Sequence, residues 1–228
     1  MLSPQLDGNG SLMGQRVLDL GCGAGYYTRR LKALSCSYIL GVDISSAMID
    51  LACDAQRQDS KHIEYMVANA KHLPPPEQPF DLVTGFHYLC YAGTREELLE
   101  MARVIFAQLD NNKPFIGLTN NVVAGIKIFD INRLQQYGLT VQSEVPIGDD
   151  TIPDGTKLIF TMRDKQSEVV CTLSNYYLSP AIYEQVFKEA GFKTFEWVPY
   201  QCDPDAPDKA FLDDYINCPP GIGLKVTK

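Results

Sequence analysis

Three glycines at alternate positions, Gly21, Gly23 and Gly25, follow an apolar run and precede a segment of helical spacing. Glycines at such a place let the backbone approach a ligand closely and turn free N–H groups toward it. A dinucleotide loop of the form G-x-G-x-x-G would need its third glycine at position 26, which is Tyr26. Asp19 precedes the glycines on the same run. A carboxylate there suits water or a ligand ammonium group and repels a pyrophosphate. The pattern points to a ligand with a positive amine and an adenosine-like part. Asp43 ends the next apolar run, 18 residues after Gly25, where an Asp can accept both hydroxyls of a ribose. Ile44 and Met48 follow, spaced to sandwich a purine ring. A tight turn and a helix-start carboxylate are the plainer reading of these residues. The two carboxylates in a strand–helix–strand context speak against it.

A second set of residues suits an acceptor. His87 closes an apolar run at what becomes the carboxyl edge of a sheet, where ligands bind. A neutral imidazole there can take a proton or orient a substrate; a hydrogen-bonded structural histidine is the alternative. Tyr88 and Tyr91 follow it, and Asn175, Tyr176 and Tyr177 close a later β-rich run. An amide beside a tyrosine can bind the edge of a planar ring that stacks on the phenol. His62 and His72 sit among polar residues and read as solvated. No HxH, HExxH or calcium-loop pattern occurs, so no metal is expected. The acidic group Asp203, Asp205, Asp208, Asp213 and Asp214 reads as a solvated face.

The elements that must position these residues alternate between strand and helix. Strands are expected at Arg16 to Leu20, Ser37 to Asp43, Ile63 to Val67, Phe80 to Phe86 and Phe115 to Thr119. Helices are expected from Gly25 to Leu34, after Ser45 with Met48, Ile49, Leu51 and Ala52 on one face, and after the Thr94–Glu97 capping box. Prolines at 74, 75, 76 and 79 make Lys71 to Pro79 a loop. This alternation means a parallel sheet with helices on both faces. The second half differs: Gly138 to Val145, Lys157 to Met162 and Val169 to Asn175 read as an antiparallel insertion. Ser179-Pro180 then opens a helix that ends at Gly191, and Phe192 to Tyr200 and Ile222 to Thr227 read as the last strands.

The chain has 228 residues, 45% of them hydrophobic and 21% charged, which suits one domain with a full core. Its net charge of −8 disfavours a nucleic-acid partner. No run approaches the length of a membrane span, and the polar start shows no secretory signal. Seven cysteines without paired spacing suggest reduced thiols, hence a cytoplasmic protein.

Val17 to Leu31, with Gly41-Val42-Asp43-Ile44-Ser45, resembles the class I S-adenosylmethionine-dependent methyltransferases. The resemblance is clear over about Gln15 to Gly117. It implies a Rossmann-like sheet of seven mostly parallel strands, with the antiparallel insertion placed before the last helix. The cofactor would be S-adenosyl-L-methionine, leaving as S-adenosyl-L-homocysteine. Asp19, Gly21, Cys22 and Gly23 would line its methionine end, Asp43, Ile44 and Met48 its ribose and adenine. Asn69-Ala70 falls where such enzymes usually carry Asp-Ala beside the adenine amino group, and Phe86 and His87 would lie near the sulfonium.

A narrower resemblance, to the toxoflavin-synthase-like methyltransferases, rests on Tyr26 to Arg29, Asn175 to Tyr177, Ala190 to Phe192 and the tail from Phe211 to Leu224. It implies a small heteroaromatic acceptor methylated on a ring nitrogen, with no membrane or nucleic-acid partner. Residues 1–228 would form one methyltransferase domain. Its parts would be a short segment 1–14, a cofactor half 15–119 and an acceptor side 120–228. Such enzymes usually begin with a helix whose tyrosine lids the cofactor, whereas about fourteen polar residues precede the first strand here. A short or missing lid keeps open a catalytically silent binding protein of the same fold. An O-methyltransferase of a small metabolite is the other alternative.

Overall fold

In the computed structural model the described residues are 10–57, 62–129, 134–147, 151–201, 213 and 215–228. The first half builds β1 (Arg16–Leu20), α1 (Tyr26–Ala33), β2 (Tyr38–Asp43), α2 (Ser46–Arg57) and β3 (Glu64–Val67). β4 (Leu82–Phe86), α3 (Arg95–Gln108) and β5 (Pro114–Asn120) follow. The insertion contributes β6 (Leu139–Ser143), β7 (Thr156–Arg163) and β8 (Val169–Tyr177). α4 (Pro180–Glu189), β9 (Thr194–Val198) and β10 (Gly221–Thr227) complete the chain.

Seven strands form one sheet in the order β3-β2-β1-β4-β5-β10-β9. All neighbours run parallel except β10, which is antiparallel to both β5 and β9. This is the Rossmann-like order expected from the sequence. Strands covered on both faces must be apolar throughout, and β1, β4 and β5 are buried along nearly their whole length. The insertion stands as a separate antiparallel sheet, β6-β7-β8. Its inner residues Val141, Leu158, Phe160 and Tyr177 share one apolar core with Leu18, Val83 and Phe115 of the large sheet.

Local signals set the helix ends. Thr94 Oγ1 accepts from Glu97 N at 3.2 Å, and Glu97 Oε2 reaches back to Gly93 N at 2.7 Å. α4 starts with Pro180 at its first turn. It ends where Gly191 takes a φ of 108°. Phe192 N then donates to Phe187 O at 3.1 Å, and the two rings pack 5.3 Å apart. Because Gly191 and Phe192 close the helix, the next strand begins only at Thr194.

Two expectations change. Met48 and Leu51 of α2 are 42% and 54% exposed, and only Ile49 and Ala52 are buried. α2 packs on the edge strand β3 and its neighbour β2, which cover a narrower face than a central helix needs. The first two residues of the expected loop Lys71 to Pro79 belong to a 3-10 turn at Ala70–His72.

Of the short N-terminal segment, residues 1–9 and any lid in them lie outside the described residues. Leu12 is fully buried beside Leu31 and Leu34. Its N–H donates to Leu34 O at 2.8 Å. That is the amino edge of β2, opposite the edge discussed next.

Candidate active site

The loops after β1, β2, β3 and β4 all emerge at the carboxyl edge of the parallel strands. In the first loop Gly21, Gly23 and Gly25 take φ values of 66°, 53° and 74°, a left-handed backbone that favours glycine. A Cβ on Gly23 would meet no heavy atom within 4 Å, so this turn borders open space. A Cβ on Gly25 would collide with the Tyr65 hydroxyl, so Gly25 serves packing instead. Gly23 N donates to Asp43 Oδ2 at 2.8 Å, and Ser45 N to Asp43 Oδ1 at 2.9 Å. Each carboxylate oxygen keeps a lone pair for a further donor. Beside Asp43, Ile44 is 70% exposed and, with Met48, offers an apolar surface to a flat ring. Asn69 is exposed, and its Oδ1 caps the next turn by accepting from Lys71 N at 3.0 Å; Ala70 is buried behind it. Cys22 is buried, with its Sγ 3.6 Å from Gly23 O, and packs as a small filler.

Asp19 lies deeper than Asp43. It is 1% exposed. Its oxygens accept from Thr28 Oγ1 at 2.6 Å and Thr84 Oγ1 at 2.8 Å. Each oxygen is thus held by one threonine hydroxyl. Burial pushes its pKa up to about 6, against the lowering effect of those two hydrogen bonds. Asp19 locks the start of α1 to β4 under the glycine loop.

At the end of β4, Phe86 stacks on Tyr27 with ring centroids 4.1 Å apart. His87 takes a φ of 58°, with its N–H donating to Leu118 O at 2.7 Å. Its ring is open to solvent, yet surrounding protein desolvates it enough to hold its pKa below the ordinary histidine value. Tyr91 is 52% exposed; burial of its hydroxyl, then Cys90 and Asp43, raise its pKa. Tyr88 is buried against Gly21 and Gly85.

The insertion residues are placed differently from one another. Asn175 is 2% exposed and exchanges side-chain hydrogen bonds with Asn120. Asn120 Nδ2 donates to Asn175 Oδ1 at 2.8 Å, and Asn175 Nδ2 to Asn120 Oδ1 at 3.2 Å. Its amide is therefore committed to the end of β5, not to a substrate edge. Tyr177 is buried, whereas Tyr176 is half-buried and lies over Gly93. His62 and His72 are exposed, as their polar surroundings suggest. Among the described residues no group of three or more His, Cys, Asp or Glu converges as a metal site, and no helix is long and apolar enough to cross a membrane. The six described cysteines are free. Of the acidic group only Asp213 lies within the described residues.

Sequence reasoning missed Thr28, Thr84, Tyr65 and the Tyr27–Phe86 stack. A polar Thr84 inside an apolar strand and Gly41 inside β2 were the available signals. A Cβ on Gly41 would lie 2.8 Å from the Tyr65 ring, which marks a close approach.

The strand order and the glycine loop tied to Asp43 are those of the class I S-adenosylmethionine-dependent methyltransferases. Residues 17–109 match the family model described as "Methyltransferase domain". The chain is 34% identical over 83 residues to the ubiquinone/menaquinone biosynthesis C-methyltransferase UbiE of Vibrio campbellii, covering 35% of this chain and 32% of that protein. It is 35% identical over 90 residues to the ubiquinone biosynthesis O-methyltransferase of Coxiella burnetii, covering 40% and 38%. The chain thus spans about a third of the length of these curated relatives. The solved S-adenosylmethionine-dependent methyltransferase from Mesorhizobium loti shares the fold, with a TM-score of 0.63 at 20% identity over 96% of this chain and 93% of that one. S-adenosylmethionine is the cofactor of this class. The residues present fit it: an open glycine turn, a half-satisfied carboxylate and an exposed apolar pair lie on one edge.

Proposed function

We propose that this chain transfers a methyl group from S-adenosylmethionine to a small-molecule acceptor. The acceptor is a ring nitrogen of a heteroaromatic compound of secondary metabolism, with no nucleic acid or membrane as partner. The whole chain works as one unit, with 15–119 holding the donor and 120–228 presenting the acceptor. The observation that carries this reading is the Gly23–Asp43 hydrogen bond of 2.8 Å beside open space. The bound cofactor supplies a methyl group on a positively charged sulfur. Asp43 accepts the ribose hydroxyls, Ile44 and Met48 cover the adenine, and Asn69 and Ala70 border its edge. Gly21, Cys22 and Gly23 lie along the methionine end, with Asp19 fixing their loop from beneath. The Phe86–Tyr27 stack walls the methyl and excludes water. Transfer then needs donor carbon and acceptor atom in line at about 3–3.5 Å, and positioning supplies most of the rate. A ring nitrogen with an acidic proton needs no strong base.

A second reading, O-methylation, is favoured by His87. Its depressed pKa leaves the imidazole neutral near pH 7 and able to take a hydroxyl proton. Tyr91 and Tyr176, the accessible tyrosines of the expected acceptor set, offer a face for ring stacking. Incubating the chain with S-adenosylmethionine and a panel of ring-nitrogen and ring-hydroxyl compounds tests both readings. Release of S-adenosylhomocysteine with a singly methylated ring product is expected. No turnover of any compound by protein that binds S-adenosylhomocysteine would turn the reading into a silent binding protein.

A further inference from the structure

Beyond the carboxyl end of β5 lies a cavity of about 280 Å³, bounded by Asn121, Lys127, Tyr200, Asn217 and Ile222. Its wall is built by hydrogen bonds. Asn121 donates from its backbone N to Pro220 O at 2.9 Å and from Nδ2 to Pro219 O at 2.9 Å. Its Oδ1 accepts from Ala124 N at 3.2 Å. One asparagine thereby fastens the tail to the end of the central sheet. Gly221 makes room for a phenol: a Cβ there would lie 2.5 Å from the Tyr200 hydroxyl. Burial raises the Tyr200 pKa, so the hydroxyl stays a donor. The same Cβ would lie 3.5 Å from Leu118 Cδ1, and Leu118 is the register partner of Phe86 across β4 and β5. The cavity therefore abuts the side of the cleft where the methyl group would lie. In a chain of net charge −8, no carboxylate lines this cavity among the described residues. Lys127 lines it with an exposed side chain and no ion-pair partner among them. The remaining lining is largely apolar and of a size for a single ring.

We propose that this cavity takes the methyl acceptor, and that the acceptor is a small aromatic ring bearing a carboxylate held by Lys127 and Tyr200. The proposal rests on the methyltransferase reading above and moves the acceptor from the insertion to the tail side of the cleft. The ammonium and the phenol both donate to an anion, while Pro199, Pro219 and Ile222 cover the ring.

The test uses the full chain saturated with S-adenosylhomocysteine and calorimetric titration of matched pairs: benzoate against benzamide, and nicotinate against nicotinamide. A carboxylate should bind at least about tenfold tighter than its amide. Lys127→Gln should erase that preference, Lys127→Arg should keep most of it, and Tyr200→Phe should weaken the carboxylate several-fold. Equal binding of acid and amide, carboxylate binding indifferent to Lys127→Gln, or binding of neither carboxylate would overturn the proposal. The preliminary titration with S-adenosylhomocysteine separates the failures. If that fails, the methyltransferase reading falls; if it succeeds while the carboxylates fail, only the acceptor assignment falls.

Discussion

Gly23 and Asp43, twenty residues apart, are joined by a backbone-to-carboxylate hydrogen bond of 2.8 Å across the ends of β1 and β2. The bond does two things at once. It fixes the turn at which the backbone is open to a ligand, and it orients the carboxylate that the same ligand would reach. Ser45 N holds the other oxygen, so Asp43 cannot rotate away without losing two partners.

Asp43→Ala removes a charged acceptor from two ribose hydroxyls and releases the Gly23 turn. Affinity for S-adenosylhomocysteine should fall by about 2–4 kcal/mol, since charged hydrogen bonds are each worth about 1.5–3 kcal/mol and the two are not additive. Calorimetry on the folded variant reads this directly. Unchanged affinity would show that the ribose sits elsewhere.

Gly23→Ala puts a methyl group into the open space beside the loop. The left-handed backbone there costs a non-glycine residue about 1–2 kcal/mol, so the melting temperature should drop by only a few degrees. Affinity for S-adenosylhomocysteine should drop more than tenfold, because the cradle itself is filled. A variant that melts lower but binds normally would place the ligand away from Gly23.

Asp19 gives a pH dependence of stability. Its folded pKa is raised from 3.8 to about 6. Between those values the folded chain is protonated there while the unfolded chain is charged, so the folded state binds more protons. Stability from this group is full below about pH 4, and is lost as pH rises to 6. The shift corresponds to about 3 kcal/mol. Denaturation from pH 4 to 7 should show Asp19→Asn losing less stability with rising pH than the parent over this window. Parallel pH profiles would contradict the assignment.

The Asn120–Asn175 pair predicts a stability effect rather than a binding one. Asn175→Ala strands a buried amide and should cost about 1–3 kcal/mol, with Asn120→Ala similar. The double variant should cost less than the two singles together, because neither partner is then left unpaired. Strict additivity in urea denaturation would contradict the pairing.

The sequence made the strand–helix alternation, the glycine loop and Asp43 legible because those signals are local. Capping at Thr94 and the stop at Gly191 were equally plain, each being written within a few residues. What was not legible depends on residues that meet only through sheet register. Asp19 pairs with Thr84, 65 positions away, because β1 and β4 are neighbours and set the two side by side. The period of the chain cannot supply that neighbour. Asn175 looked like a free amide at a strand end, and only the docking of β8 beside β5 shows its amide consumed by Asn120. The exposure of Met48 and Leu51 likewise reflects the place of α2 over the outer strands, while its own periodicity suggested a buried face. The cavity near Lys127 and Tyr200 joins segments far apart in the chain, and no run of sequence announces it.

The carboxyl edge of the parallel strands is where S-adenosylmethionine is expected to bind. Calorimetric titration of the purified chain with S-adenosylhomocysteine, beside NAD under the same conditions, tests it most directly. Saturable binding of S-adenosylhomocysteine at micromolar levels, about −8 kcal/mol, is expected, with none for NAD and a large loss in Asp43→Ala. No heat with S-adenosylhomocysteine, or saturable binding of NAD in its place, would contradict it.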